Sequence, residues 1–311
     1  MFYMTKILVT GGAGFIGSNL VDALILENYE VTVIDNLSSG KREYLNPRAK
    51  FWQLDIVSEE IDTIFRTERF DFVYHLAAQI DVRTSVTNPS FDNKINVLGG
   101  LNILEKAKKY GVKKVIFAST GGAIYGETEE IPTTEYAPTY PLSPYGINKL
   151  AFEKYLYYYY QTYNLNYTIL RFANVYGPRQ FKGGEAGVIA IFVDNAIKGK
   201  TSIMYGDGKQ TRDFVFVTDV VSALIKAKEI DCRGEINISL GREVSLLEVK
   251  AKIEEVLGEK ILIQVEPAKL GEQKRSCLSR ERAKAVLDWE PKFDLDQGIK
   301  ETINWSRAQI K

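Results

Sequence analysis

Thr5-Lys6-Ile7-Leu8-Val9-Thr10-Gly11-Gly12-Ala13-Gly14-Phe15-Ile16-Gly17 is a short apolar run, three spaced glycines and the start of a helix. Ile7-Leu8-Val9 lies between polar residues and stops at glycine, the pattern of a strand buried on both faces of a parallel sheet. Gly11 lets the chain turn sharply off that strand, Gly14 leaves room for a diphosphate to approach the backbone, and Gly17 allows close packing of helix on strand. The N–H groups of the following helix, at Phe15 and Ile16, then face the phosphates. Glycine-rich turns are common, so the context decides. The helix Phe15 to Leu26 is apolar at Ile16, Leu20, Ala23 and Leu24, and a second strand, Val31 to Ile34, ends on Asp35. A carboxylate about 20 residues past the turn accepts both hydroxyls of an adenosine ribose. Asp35 would repel a 2′-phosphate, which favours NAD.

The chain has 311 residues, enough for one large domain or two coupled ones. Lys plus Arg and Asp plus Glu are 40 each, so no global field draws it to nucleic acid or an anionic membrane. Cys232 and Cys277 stand far apart, which is no disulfide framework, and with a single histidine they argue against a metal site. No tripartite leader and no apolar run near the 18 or so residues of a membrane span is present. The expectation is a soluble, cytoplasmic protein with neither nucleic acid nor membrane as partner.

Beyond Asp35, Asn36-Leu37-Ser38-Ser39-Gly40 is polar and turn-forming, suited to folding over a ribose, although a plain surface loop has the same composition. A third strand, Phe51 to Leu54, ends on Asp55-Ile56, which could frame an adenine. The fourth, Phe72 to Leu76, runs into Ala77 and Ala78, small enough for a dinucleotide to lie across the strand ends, with Gln79 completing that edge. The lone histidine, His75, sits late in this strand, where packing or a hydrogen bond is the commoner role than catalysis. Pro89 opens a long helical pattern, Phe91 to Tyr110, and Asn96 within it is either a structural bridge or a cofactor contact. The fifth strand, Val115 to Ala118, opens into Ser119-Thr120-Gly121-Gly122.

Pro144-Tyr145-Gly146-Ile147-Asn148-Lys149 begins a helix expected to reach Tyr163. Residues four apart share a helix face, so Tyr145 and Lys149 point into one site. A phenol of pKa about 10 is a poor base at neutral pH, and an adjacent ammonium favours its phenolate. Elsewhere such a pair is surface decoration; after a fifth parallel strand in this chain it is read as catalytic. Tyr155 to Tyr160 is aromatic all round, which suits packing against another subunit better than a flavin. After a sixth strand, Thr168 to Arg171, the composition changes. A loop at Gly183 to Gly187, a helix Val188 to Ile197, a short strand Ser202 to Tyr205 and the run Gly206 to Val215 follow. Arg212 there is a candidate fork for a diphosphate, with a surface ion pair to Asp213 as the plain alternative. The expected fold class is α/β, a Rossmann-type doubly wound parallel sheet with a smaller, intimately packed C-terminal α/β substrate lobe. The boundaries drawn are 1–173 for the NAD-binding part, with a returning segment at about 213–240, and 174–212 with 241–311 for the lobe.

The glycine turn, His75-Leu76-Ala77-Ala78, Tyr145-x-x-x-Lys149, Arg171 to Arg179 and Gly206 to Val215 together resemble an extended short-chain dehydrogenase/reductase. Within that superfamily the chain is most similar to the UDP-glucose 4-epimerases, over nearly its whole length. The resemblance implies that Tyr145 takes the proton of the sugar 4-hydroxyl while C4 gives hydride to tightly held NAD, and that the 4-keto sugar turns over before hydride returns. It implies that Asn174 and Arg212 hold the diphosphate, that Val188 and Tyr205 lie near the uridine, and that subunits pair through the helices at 91–110 and 145–163. Lys269 falls where relatives carry arginine, which forfeits bidentate geometry.

Two departures stand out. Relatives place Ser or Thr where Gly121 is, so the expectation is that Ser119 or Thr120, or else water, serves the reacting oxygen. Ser276 aligns with a wall of the sugar pocket that bulky residues close against 2-acetamido sugars, so UDP-N-acetylglucosamine is expected to be accepted beside UDP-glucose. Gly122 and Ala123 replace the Asp-Glu pair of the sugar-nucleotide 4,6-dehydratases. A uronate 4-epimerase or decarboxylase, with Arg83 or Arg179 meeting a carboxylate, and a non-catalytic NAD-binding scaffold are the other readings.

Overall fold

The computed structural model describes residues 4–180, 187–268 and 273–309. β1 (Lys6–Thr10), α1 (Phe15–Leu26) and β2 (Glu30–Asp35) open the chain, followed by β3 (Lys50–Gln53), α2 (Ile61–Glu68) and β4 (Phe72–His75). Next come α3 (Val82–Thr87), α4 (Pro89–Asn93), a π-helical stretch at Lys94–Gly99, and α5 (Gly100–Lys109). β5 (Lys114–Thr120), the short α6 (Gly121–Ile124), α7 (Pro144–Tyr163) and β6 (Asn166–Phe172) follow, then β7 (Asn174–Tyr176) and α8 (Val188–Ile197). The remainder is β8 (Ser202–Tyr205), β9 (Thr211–Arg212), β10 (Phe214–Phe216), α9 (Val217–Glu229), β11 (Glu235–Ile238), β12 (Val244–Ser245), α10 (Leu246–Leu257), β13 (Ile263–Glu266), α11 (Glu281–Leu287) and α12 (Leu295–Ala308).

Seven strands form one sheet in the order β11-β6-β5-β4-β1-β2-β3, every pair parallel. Because successive side chains of a strand point to opposite faces, each buried strand feeds two layers. Ile7, Val9, Val33, Tyr74 and Ile116 pack on α1 and α9. Leu8, Ile34, Val73, Val115 and Phe117 pack on α2, α5 and α7. The sheet is therefore doubly wound. From β1 the chain goes outward to β2 and β3, then crosses back to β4 on the other side. The carboxyl ends of β1 and β4 consequently flank a crevice, the usual place for a ligand in such a sheet.

A third core gathers α8, α10 and α12 around Met204, Phe214, Phe216 and Val244. Three small strand pairs belong to this side: β7 with β10 and β8 with β13, both parallel, and β9 with β12, antiparallel. None of the helices among the described residues is long and apolar enough to cross a membrane.

α7 starts and stops where its chemistry dictates. The Ser143 hydroxyl accepts from the Gly146 N–H at 3.2 Å, Pro144 occupies the first turn, and Asn164 ends the helix with φ of 56°. The helical pattern from Phe91 to Tyr110 differs from the single α-helix expected. It is broken by the π-helical turn containing Asn96, whose side chain is engaged outside the helix.

Candidate active site

Gly11 has a φ of 73°, and a Cβ there would lie 2.7 Å from the Ala77 nitrogen; one on Gly17 would lie 2.1 Å from the Gly11 carbonyl oxygen. No side chain could fill either place. The N-cap of α1 is Gly14, with no side-chain cap, and among the described residues no side chain bonds the first-turn N–H groups of Phe15, Ile16 and Gly17. A bare helix N-terminus beside a glycine turn suits a diphosphate.

Asp35 is buried and accepts the Ala13 N–H at 3.0 Å and the Leu37 N–H at 2.8 Å. The Asn36 amide donates to Asp55 at 2.8 Å, and the Ser38 N–H to Asn36 at 2.9 Å. Lys41, beside Gly40, donates its N–H to the Ala13 carbonyl, and Ile56 is buried below. On the β4 side, Asn96 accepts from the Gln79 N–H at 3.0 Å and donates to its carbonyl at 2.9 Å. Asn96 thus bridges to Gln79 and fixes the segment Leu76, Ala77, Ala78 and Gln79. The residues singled out for a dinucleotide stand together at the carboxyl ends of β1 to β4.

Lys149 is fully buried between α7 and β5, its Nζ donating to the Ala118 carbonyl at 2.9 Å and lying 4.6 Å from the centre of the Phe117 ring. Burial brings its pKa down to about 8, against the opposing pull of the Asp92 and Glu153 carboxylates. The Tyr145 ring centre is 5.9 Å from Nζ. An ammonium so placed is still mostly charged at pH 7 and acts on the phenol through a short, poorly solvated path.

The two candidate hydroxyls fare differently. Ser119 Oγ donates to the Glu153 carboxylate at 2.6 Å, inside a buried set in which Arg171 binds Glu153 through Nε at 3.0 Å and Nη2 at 2.5 Å. The hydroxyl of Thr120 has no side-chain hydrogen bond among the described residues, and the residue is half-buried. Ser119 is committed; Thr120 is available.

At Gly121, a Cβ would lie 2.2 Å from Leu278 Cδ1. Leu278 therefore occupies the space of a side chain there. The carboxylate of Asp213 is buried and accepts the N–H groups of Leu240 at 2.9 Å, Gly241 at 3.1 Å and Leu278 at 3.2 Å. Burial lifts its pKa to about 6, opposed by those donors. Asp213 is thus an internal acceptor, not a surface partner. Asn174 donates its N–H to the Asp213 carbonyl at 2.9 Å, and Ser276 is buried two residues before Leu278. Arg212 is half-buried, with Nη1 on the Thr211 carbonyl at 2.8 Å. Asn174, Arg212 and Ser276 thus lie on segments tied to Asp213 through its backbone carbonyl, its chain neighbour and the Leu278 N–H. Val188 and Tyr205, both half-buried, begin α8 and end β8. Lys269 lies outside the described residues. Arg179 binds Asp22 at 2.7 Å and Arg83 is exposed.

Sequence reasoning did not single out Glu153, Asp92 or Leu278, and took Asp213 only as a surface partner for Arg212. Glu153 carried a signal, standing four residues beyond Lys149 on the same helix face. Asp92 accepts from Asn148 at 2.7 Å and from Gln79 at 2.6 Å, tying α4 to α7 and to the end of β4.

Residues 7–239 match the model of the NAD dependent epimerase/dehydratase family. Among solved structures, the chain is similar to a UDP-glucose 4-epimerase from Thermotoga maritima determined with UDP-glucose: 46% identity, TM-score 0.96, covering 99% of this chain and 100% of that one. A Thermus thermophilus UDP-glucose 4-epimerase in complex with NAD is 41% identical with a TM-score of 0.93, covering 98% and 100%. A UDP-N-acetylglucosamine 4-epimerase from Methanobrevibacter ruminantium, in complex with UDP-N-acetylmuramic acid, is 35% identical with a TM-score of 0.94, covering 99% and 100%.

His75 supplies a test of this electrostatic arrangement. Its Nδ1 is 2.8 Å from Thr10 Oγ1, its ring packs against Phe117 and Phe152, and burial followed by the charge of Lys149 depresses its pKa to about 3. The unfolded chain takes up a proton near pH 6.5 that the native state refuses, so this stability is present above pH 6.5 and is lost progressively towards pH 3. From pH 7 to pH 5 His75 should cost about 2 kcal/mol. Urea unfolding at the two values should show a loss smaller by that amount in His75→Gln; equal losses would contradict it.

Proposed function

The chain belongs to the NAD-dependent epimerase/dehydratase family, and on that premise we propose that it inverts C4 of a UDP-hexose through a 4-keto sugar. The observation that carries the reading is the buried Lys149 ammonium, one helical turn from Tyr145 and anchored at the carboxyl end of β5. The uncapped turn at Gly11 to Gly17 and Asp35 fit NAD, with Asn36, Ser38, Gly40, Asp55, Ile56, Leu76 to Gln79 and Asn96 as its surroundings. NAD bound there would take a hydride from C4 and later return it. Tyr145, as phenolate, accepts the 4-hydroxyl proton and gives it back; Lys149 lowers the cost of that phenolate. Thr120 donates a hydrogen bond to the reacting oxygen. We assign the first 173 residues with the return at 213–240 to the cofactor, and the third core to the UDP-sugar, with Asn174 and Arg212 at the diphosphate and Val188 and Tyr205 at the uridine.

Proton NMR of UDP-glucose incubated without added NAD tests the whole reading, with UDP-galactose the expected product and no conversion the outcome that sinks it. Tyr145→Phe and Lys149→Met should each lower kcat by about 10²- to 10⁴-fold with bound NAD retained. Thr120→Val should cost more turnover than Ser119→Ala; the reverse order would exchange their roles.

Ser276 is small and buried on the segment fixed by Asp213, which supports room for a 2-acetamido group and hence the UDP-N-acetylglucosamine and UDP-N-acetylgalactosamine pair. Ser276→Tyr should depress kcat/KM for that pair by about tenfold or more relative to UDP-glucose. An unchanged ratio would refute this.

We also read the protein as a cytoplasmic homodimer. Phe91, Leu98, Ile147, Tyr155 and Tyr158 are exposed on α4, the π-helical turn and α7, and Cys232 and Cys277 are unpaired thiols. Light scattering of protein from the cytosolic fraction should give twice the 35.2 kDa chain mass, and Leu98→Glu should halve it. A wild-type monomer would end this reading.

A further inference from the structure

Leu278 lies in the second part of the chain, yet it reaches the turn that follows β5. Both of its backbone groups are bonded: its N–H donates to Asp213 at 3.2 Å and its carbonyl accepts from Ser239 Oγ at 2.9 Å. The flanking residues are tied as well. The Thr133 N–H donates to the Cys277 carbonyl, and the Ser279 N–H to the Thr133 carbonyl, each at 2.8 Å. The Leu278 side chain is 2% exposed, packs with Tyr125 and Ala137, and has its Cδ1 2.2 Å from where a Cβ of residue 121 would be. A side chain held by so many backbone bonds has little room to give way.

We propose that Asp213 and Leu278 are positioning residues for the C4 chemistry. Asp213 fixes the 277–278 segment, Leu278 fills the place of a side chain at position 121, and the β5–α6 turn is braced so that Thr120 presents the hydroxyl. This rests on the epimerase reading. Gly121 is then a consequence of Leu278, and the hydroxyl has moved by one residue.

The experiment is a mutant cycle on the full chain, with kcat and KM for UDP-glucose and the thermal midpoint measured for each variant. Gly121→Ala should lower kcat by about tenfold, the scale of coupling between touching residues, with KM changed less than about twofold. Adding Leu278→Ala should restore kcat to within about threefold of Leu278→Ala alone. Asp213→Asn should lower kcat, and Gly121→Ala in that background should cost less than in the wild type. Additive losses, or midpoints that fall while kcat and KM stay unchanged, would overturn the proposal. A wild type inert towards every UDP-hexose would overturn the functional reading and the catalytic role with it. The midpoints still read the Gly121–Leu278 interlock in that case, and additive midpoints would overturn the interlock too.

Discussion

The ion pair between Arg171 and Glu153 is the constraint on which the reacting half of the molecule hangs. Both side chains are almost wholly excluded from water, at 2% and 0% exposure. Taking two charges into such a place costs several kcal/mol each and is tolerated only when geometry is good and the remaining donors and acceptors are satisfied. Here they are: Arg171 Nη1 donates to the Tyr125 hydroxyl, which donates to Asn237, and Ser119 donates to the same carboxylate. The pair thereby pins α7 to β6, β5 to α7, and the returning β11 to both. Losing one partner of such a pair typically costs about 3–5 kcal/mol, because the other charge is stranded. Glu153 is one turn from Lys149, so the group that orders the sheet also sets the register of the helix carrying Tyr145 and Lys149.

A second constraint follows from placing an ammonium in that interior. Lys149 keeps its charge through the Ala118 carbonyl, the face of Phe117 and two nearby carboxylates. A second cation close by would undo this. His75, stacked on the same Phe117, is held neutral by burial and by Lys149 itself. The lone histidine is therefore an uncharged, packed group beside Lys149, consistent with the packed role its position in a strand suggested.

Features set by near neighbours were legible in the sequence, and features set by distant ones were not. The glycine turn with Asp35, the full span Pro144–Tyr163, and α8 and β8 follow from caps, periodicity and spacing within about 20 residues. The fate of the Ser119 hydroxyl depends on a partner 34 residues away, and the emptiness at Gly121 on a leucine in another part of the chain. Neither relation leaves a local pattern. The π-helical turn at Asn96 escaped for the same reason, since the apolar period continues through it while the bond that accompanies it goes to Gln79. α9 was hidden because its start continues the apolar run of β10, where a buried strand and a buried helix look alike.

A reaction that removes a hydride and returns it to the other face of the same carbon imposes opposite demands on the two ends of the substrate. The nucleotide end must be immobile while the sugar turns. On the proposed assignment of the site these demands fall to different kinds of group. Around the diphosphate candidates, backbone N–H groups converge on Asp213, a rigid arrangement that loses little entropy on binding. Where the sugar is proposed to lie, Gly122 and Ser276 are small, so the walls there would be set by what leaves space rather than by what grips. Leu278 belongs to both regions. Its backbone is part of the Asp213 cluster and its side chain abuts the β5–α6 turn, so on the proposed reading the point at which holding gives way to freedom lies within a single residue.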